Sequence, residues 1–359
     1  MATDRSLKAT RDAILVAYSF DVIDDFEFAL LYGLNKSREI FPFWKFEKFN
    51  LESLDEAQCR TEFRFIKSHI YELAVALNMP EKIVTEERVT CTGIEGLCIL
   101  LKRLAFPCRY TDMVPMFGRN QTEICLIFNH VLNILYHNHH HRLSSWNQWF
   151  LQPHMLQRFC ESINNKGAPL QNCFGFIDGT VIPISRPGQN QRTVYNGHKR
   201  VHAIKFQSVA LPNGLIGNLS GPYEGRRHDS TILRESNLLP DLQRVAFFNG
   251  QSLCVYGDPA YPLNIHLQGP FRRANITPDE VIYNQAMSKV RVSVEWLFGN
   301  IRNYYKFIDY KHELKLRLSP IGKIYIVCAL LQNAHTCFYG NQVSDFFDFH
   351  PPSIQEYFQ

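Results

Sequence analysis

Phe174-Gly175-Phe176-Ile177-Asp178-Gly179-Thr180-Val181-Ile182-Pro183-Ile184 decides the reading of the fold. Its aromatic and β-branched residues predict a strand. The most apolar part ends on Asp178, followed by Gly179-Thr180. An Asp before Gly at a strand end is ordinarily a turn residue or a helix cap, so Asp178 alone decides nothing. A second strand, Cys254-Val255-Tyr256-Gly257-Asp258, also ends on an acid. A third acid, Glu295, sits inside Val292-Ser293-Val294-Glu295-Trp296-Leu297-Phe298, a helix too apolar to face solvent all round. Arg291, four residues earlier, is its ordinary partner. Burying charge is costly unless it is paired or ligates a cation, so three such acids are expected to converge at one end of a sheet. Hard oxygen donors of this kind suit Mg²⁺ or Mn²⁺, two ions in a phosphodiester-cleaving site. Mutual repulsion is expected to raise the pKa of at least one of the acids until metal binds.

Outward from these acids, the chain separates into regions. Val201 to Leu211 and Leu215 to Ser220 read as strands joined by the turn Pro212-Asn213-Gly214. A helix is predicted from Ser230 to Leu239, a short buried strand from Leu253 to Gly257, and helices over roughly 279 to 304 and 320 to 335. The order β-β-β-α-β-α within a helical frame is that of an RNase H-like fold. The expected class is therefore α/β: an RNase H-like mixed sheet flanked by helices, with an all-helical N-terminal region. The expected division is a helical region 1–87, a helix-turn-helix-like region 88–165, a nuclease domain 166–340 and a tail 341–359.

In the second region, Ile124, Ile127, Phe128, Val131, Leu132 and Leu135 form one apolar helical stripe, with Asn120 placed as N-cap. The segment from Arg109 to Leu135 reads as a helix-turn-helix or as an ordinary helical hairpin. In the first case Gln121, Thr122, Asn129 and Asn133 would meet DNA from the major groove.

The 359 residues are 45% hydrophobic and 20% charged, with a formal net charge of +4. That composition carries a folded core and argues against wholesale disorder. Ten scattered cysteines without a C-x-x-C pair read as buried free thiols of a reducing compartment. No signal peptide or membrane-length apolar run stands out, so a soluble intracellular protein is expected. The run His137-Asn138-His139-His140-His141 lacks zinc spacing. No P-loop, G-x-S-x-G or H-E-x-x-H motif occurs.

Between Asp178 and Glu224 there is no acidic residue, while Arg186, Arg192, Lys199, Arg200 and Lys205 fall there with His198 and His202. A stretch of one sign beside a cluster of acids is the footprint of a phosphate backbone. A second basic run, Arg302, Lys306, Lys311, Lys315 and Arg317, alternates with Tyr304, Tyr305, Phe307 and Tyr310. It reads either as core or as a stacking surface for bases.

Four segments in order carry a resemblance: Phe174 to Thr180, Gly225-Arg226-Arg227-His228-Asp229-Ser230, Gly257-Asp258-Pro259-Ala260-Tyr261-Pro262-Leu263, and Arg291 to Gly299. Together they resemble the successive motifs of PIF/Harbinger-type transposases, the Harbinger transposase-derived nucleases among the DDE superfamily endonucleases. The resemblance covers residues 171 to about 340, and the helical half more loosely. It implies a catalytic, metal-binding triad of Asp178, Asp258 and Glu295, with 36 residues between the last two, close to the D-D-about-35-E pattern. Asp229 is the alternative second acid. Its place before a helix makes N-capping its ordinary role, and Asp258, just after the fourth strand, is preferred. Pro259-Ala260 departs from the usual Ser or Lys followed by Gly. The resemblance further implies cleavage of transposon ends and joining to target DNA, a Myb-like accessory protein, a homo-oligomer and a place in the nucleus or also the cytoplasm. The rival expectation is a domesticated DNA-binding regulator that no longer cuts.

Overall fold

The computed structural model describes residues 2–34, 41–272 and 275–359; the part of the first helical region at 35–40 lies outside them. In the first half, the main helices are α1 (Gly93–Ala105), α2 (Tyr110–Phe117), α3 (Gln121–His139) and α4 (Pro153–Asn165). The six stripe residues of α3 are all buried, and the Asn120 side chain accepts from the Glu123 N–H at 2.9 Å, as an N-cap does. Gly118 ends α2 in the left-handed conformation (φ 56°). Its Cα lies so close to the chain at Glu47 that a Cβ would come within 2.1 Å of that carbonyl oxygen, so only glycine makes this turn.

The first half is not all helical. Lys82–Val84 and Thr90–Thr92 form an antiparallel hairpin, and the expected boundary at 87/88 falls in its turn. Arg88 takes a left-handed φ of 63° there. Three-residue strands around a polar turn leave too short an alternation to be read.

The sheet lies in the second half: β1 (Cys173–Pro183), β2 (Val201–Ala210), β3 (Ile216–Glu224), β4 (Cys254–Tyr256) and β5 (Leu267–Gln268). β1 pairs antiparallel with β2, from Phe176 opposite Ala210 to Pro183 opposite Ala203, and parallel with β4 on its other side. β3 pairs antiparallel with β2, and β5 parallel with β4. The result is a mixed sheet with β1 at its centre. Helix α5 (Asp229–Glu235) lies between β3 and β4, and α6 (Pro278–Tyr304) and α7 (Ile321–Tyr339) follow β5. α4 and α6 pack on β1.

Two local expectations need correction. The helix expected over 230–239 ends at Glu235, and a separate one, Leu238–Val245, begins after Asn237. Asn237 has φ 55°, a conformation Asn tolerates and a continuing helix does not. A second hairpin, Phe247–Phe248 with Gln251–Ser252, turns on Asn249-Gly250, both with positive φ. Asn-Gly is the strongest short hairpin signal, so this one was present in the sequence.

Buried residues from Leu51 to Phe358 form one continuous apolar core shared by the helical half and the sheet. All ten cysteines are free, eight of them buried. Among the described residues no helix is long and apolar enough to cross a membrane.

Candidate active site

The site begins with the pairing of β1 and β4. Phe176 stands opposite Tyr256 in parallel register. Two residues further along each chain come Asp178 and Asp258: β1 does not end at Asp178 as expected but runs on to Pro183, so Asp178 lies midway along β1, beside the point where the chain leaves β4 and carries Asp258. Gly257 permits the close approach: a Cβ there would lie 2.9 Å from Ile177 Cγ2 and 2.9 Å from Tyr261 Cδ2. Each carboxylate has one oxygen fixed by backbone. Asp178 Oδ1 accepts from Gly179 N–H at 2.8 Å, and Asp258 Oδ1 accepts from Ala260 N–H at 2.8 Å.

The Asp178 side chain is 21% exposed. Burial pushes its carboxyl up to about 6; the Gly179 N–H and Arg291 oppose the rise, and the charges of Asp258 and Asp229 add to it. Arg291 on α6 reaches both ways, with Nη1 3.6 Å from Asp178 Oδ2 and Nη2 3.9 Å from Glu295 Oε1. These are ion-pair distances, too long for hydrogen bonds. Glu295 is 60% exposed and is joined to Asp178 only through this arginine. Asp178 and Asp258 are thus brought together, and Glu295 is held apart from them.

Two buried donors beside these acids have no hydrogen-bond partner, Arg291 Nη1 and Tyr261 Oη. Burial drives the Tyr261 phenol well above its ordinary range, with Asp229, Asp178 and Asp258 reinforcing it. Buried orphan donors are uncommon, and these two call for an acceptor. What fits a divalent cation is the pair of carboxylates, each with one hard oxygen not fixed by backbone. It does not extend to a complete three-acid set: among the described residues no group of three or more His, Cys, Asp or Glu is gathered as ligands.

Asp229 is engaged by a lysine. It opens α5 as the first helical residue, not as the cap, which is His228. Its Oδ1 accepts from Lys205 Nζ at 2.5 Å, and Lys205 also donates to the Arg227 carbonyl at 3.0 Å. The Asp229 carboxylate lies over Gly179, where a Cβ would come within 3.0 Å of Oδ1. Its charge reaches both Asp178 and Tyr261, so Asp229 stands beside the site while paired with Lys205.

Residues 177–333 match the DDE superfamily endonuclease family. The match contains Asp178, Asp229, Asp258 and Glu295, and supports a transposase-like nuclease. No curated protein and no solved structure is matched by the chain.

Of the cations in the endonuclease-like segment, Arg186, Arg192, Lys199 and Arg200 are exposed. Lys205, expected among the phosphate contacts, is 6% exposed and held by Asp229; Lys205 points inward because it pairs with this half-buried acid. Upstream, Gln121 and Thr122 are exposed at the start of α3. Asn129 instead donates to the Cys125 carbonyl, and Asn133 accepts from Lys323 of α7, so the later turns of α3 are taken up by packing. In the histidine run, His139 is buried with Nε2 on the Leu77 carbonyl, and His140 Nδ1 meets the Tyr136 carbonyl.

Proposed function

We propose that this chain is a metal-dependent DNA endonuclease of RNase H-like architecture and PIF/Harbinger type, cutting phosphodiester bonds at transposon ends and joining them to target DNA. The observation that carries the reading is that Asp178, on β1, lies beside the point where the chain leaves the adjacent parallel β4 and carries Asp258. Asp178 and Asp258 would hold Mg²⁺ or Mn²⁺, each with the oxygen not fixed by backbone, and Glu295 would complete the set. Divalent ions held by these carboxylates would supply the charge that favours in-line displacement at a phosphodiester. Asp178 must lose its proton to serve, which its elevated pKa delays to near neutrality. Once it does, Arg291 partly compensates the charge of Asp178, as it does that of Glu295. Tyr261 offers a buried O–H to the same space.

A second reading has its own support: Glu295 stands exposed and tied to Arg291, as suits a domesticated DNA-binding protein without cutting activity. Either reading takes DNA as partner. A nuclear location, a Myb-like accessory protein and a homo-oligomer that pairs two ends belong to the first.

The test is plasmid cleavage by the purified chain with Mg²⁺ or Mn²⁺, with Asp258→Ala and Asp229→Ala compared. Cutting that disappears in Asp258→Ala and persists in Asp229→Ala is expected. Dependence on Asp229 instead would make it the second acid. Binding without any cutting, with candidate ends and accessory protein supplied, would favour the second reading.

A further inference from the structure

The two basic runs, more than a hundred residues apart in sequence, meet in space. Ser185, just past β1, donates its N–H to the Leu314 carbonyl at 3.0 Å and its hydroxyl to the Lys311 carbonyl at 2.9 Å. These bonds seat the segment 311–318 against the loop 185–194. Between them runs a cleft of about 690 Å³, continued past Arg186 by a second hollow of about 380 Å³. The cations on its walls are Arg186, Lys315 and Arg317 in the larger part and Arg200 and Lys311 in the smaller.

No acid lines either part. The neighbouring ones are turned away: Glu313 pairs with Arg103, and Asp309 with Arg302 and Lys306. Val194, Leu316 and Leu318 line the larger part beside the cations. Leu318 is 80% exposed, which nothing in the fold requires. Arg200 and Arg317 hold left-handed φ values of 54° and 69°, a conformation that costs a non-glycine residue about 1–2 kcal/mol and recurs at binding sites.

We propose that this cleft binds an unpaired stretch of DNA leading away from the cutting site. A duplex backbone needs only a charged face. Apolar side chains set among cations in one cleft suit an unstacked base together with its phosphate. The position is consistent, because β1 carries Asp178 and then runs five residues to Pro183 at the cleft. At ~3.3 Å per residue that is roughly 17 Å, a few nucleotides from the scissile bond. The inference rests on the nuclease reading and adds the substrate form: DNA with a single-stranded flank beside the scissile bond.

The experiment is fluorescence anisotropy with the full chain, without divalent metal, on a blunt duplex and on the same duplex bearing a short single-stranded overhang. The wild type should prefer the overhang by about tenfold. Arg186→Ala with Arg317→Ala should abolish the preference, weakening the overhang probe more than the blunt duplex, and lower the salt slope on the overhang probe by ~1.4, at ~0.7 per lost single-strand contact. Leu318→Ser, at an exposed position, should weaken the overhang probe alone. Equal binding of both probes by the wild type, or an equal loss on both in the variants, would overturn the cleft. If metal-dependent plasmid cutting persists in that case, the nuclease reading stands; a chain that neither binds nor cuts DNA loses both.

Discussion

At the residue scale, Asp178 is a carboxylate kept at a cost. Its pKa is raised from 3.8 to about 6, so it favours the fold most when protonated. That advantage is full below pH 3.8 and is lost as pH rises through about 6, where the ionised form costs ~3 kcal/mol. Asp178→Asn mimics the protonated form. Without metal it should therefore gain up to ~3 kcal/mol in urea denaturation at pH 8 and nothing below pH 4, while losing cutting. A variant less stable than wild type at pH 8 would contradict this account. Arg291 supplies the cation that partly compensates the same carboxylate, 3.6 Å away. Arg291→Gln should raise Mn²⁺ affinity about tenfold, ~1.4 kcal/mol, in calorimetric titration without DNA. Weaker Mn²⁺ binding would show that Arg291 organises the acids and does not compete for them.

At the element scale, the site depends on how closely β4 runs beside β1. Gly257 lies between Ile177 and the Tyr261 ring, with no room for a Cβ. Gly257→Val should force the strands apart, cost ~1–3 kcal/mol by overpacking, and reduce cutting far more than DNA binding. Parallel losses in both would place the effect in general unfolding. The same elements show what was legible beforehand. α3 announces itself because its apolar residues repeat at helical spacing over twelve residues, and β1 and β2 because aromatic and β-branched residues run together in them. Asp178 and Asp258 could be read because each closes an apolar run. Glu295 could be read as a motif residue, but its separation from them could not, since that depends on the reach of the Arg291 side chain. β5 has two residues and no pattern at all. Lys205 looked like a phosphate contact because sequence shows charge and not direction; its inward turn follows from Asp229, 24 positions away.

At the scale of the whole molecule, the helical half and the sheet half share one core, and α7 crosses both. His335 on α7 is packed among the rings of Tyr304 at 4.1 Å, Tyr339 at 4.6 Å and Phe65 at 5.4 Å. Phe65 belongs to the N-terminal region, so this cluster is a joint between the halves. His335 is 5% exposed and its Nδ1 has no partner. Burial lowers its pKa from 6.5 to about 4; a backbone hydrogen bond at Arg64 opposes this, and Arg60, Arg64 and His69 add to the fall. The unfolded chain therefore takes up a proton below pH 6.5 that the folded chain refuses until about pH 4. Stability is lost over that interval as pH falls, by up to ~3 kcal/mol. Asp178 acts in the opposite direction over nearly the same interval, so the two largely offset each other in the wild type. They separate in variants. Between pH 7.5 and 4.5, His335→Phe should gain ~2–3 kcal/mol relative to wild type in urea denaturation. A difference that stays constant with pH would mean that His335 is protonated as readily in the folded chain as in the unfolded one, and that the joint between the halves is not closed to water.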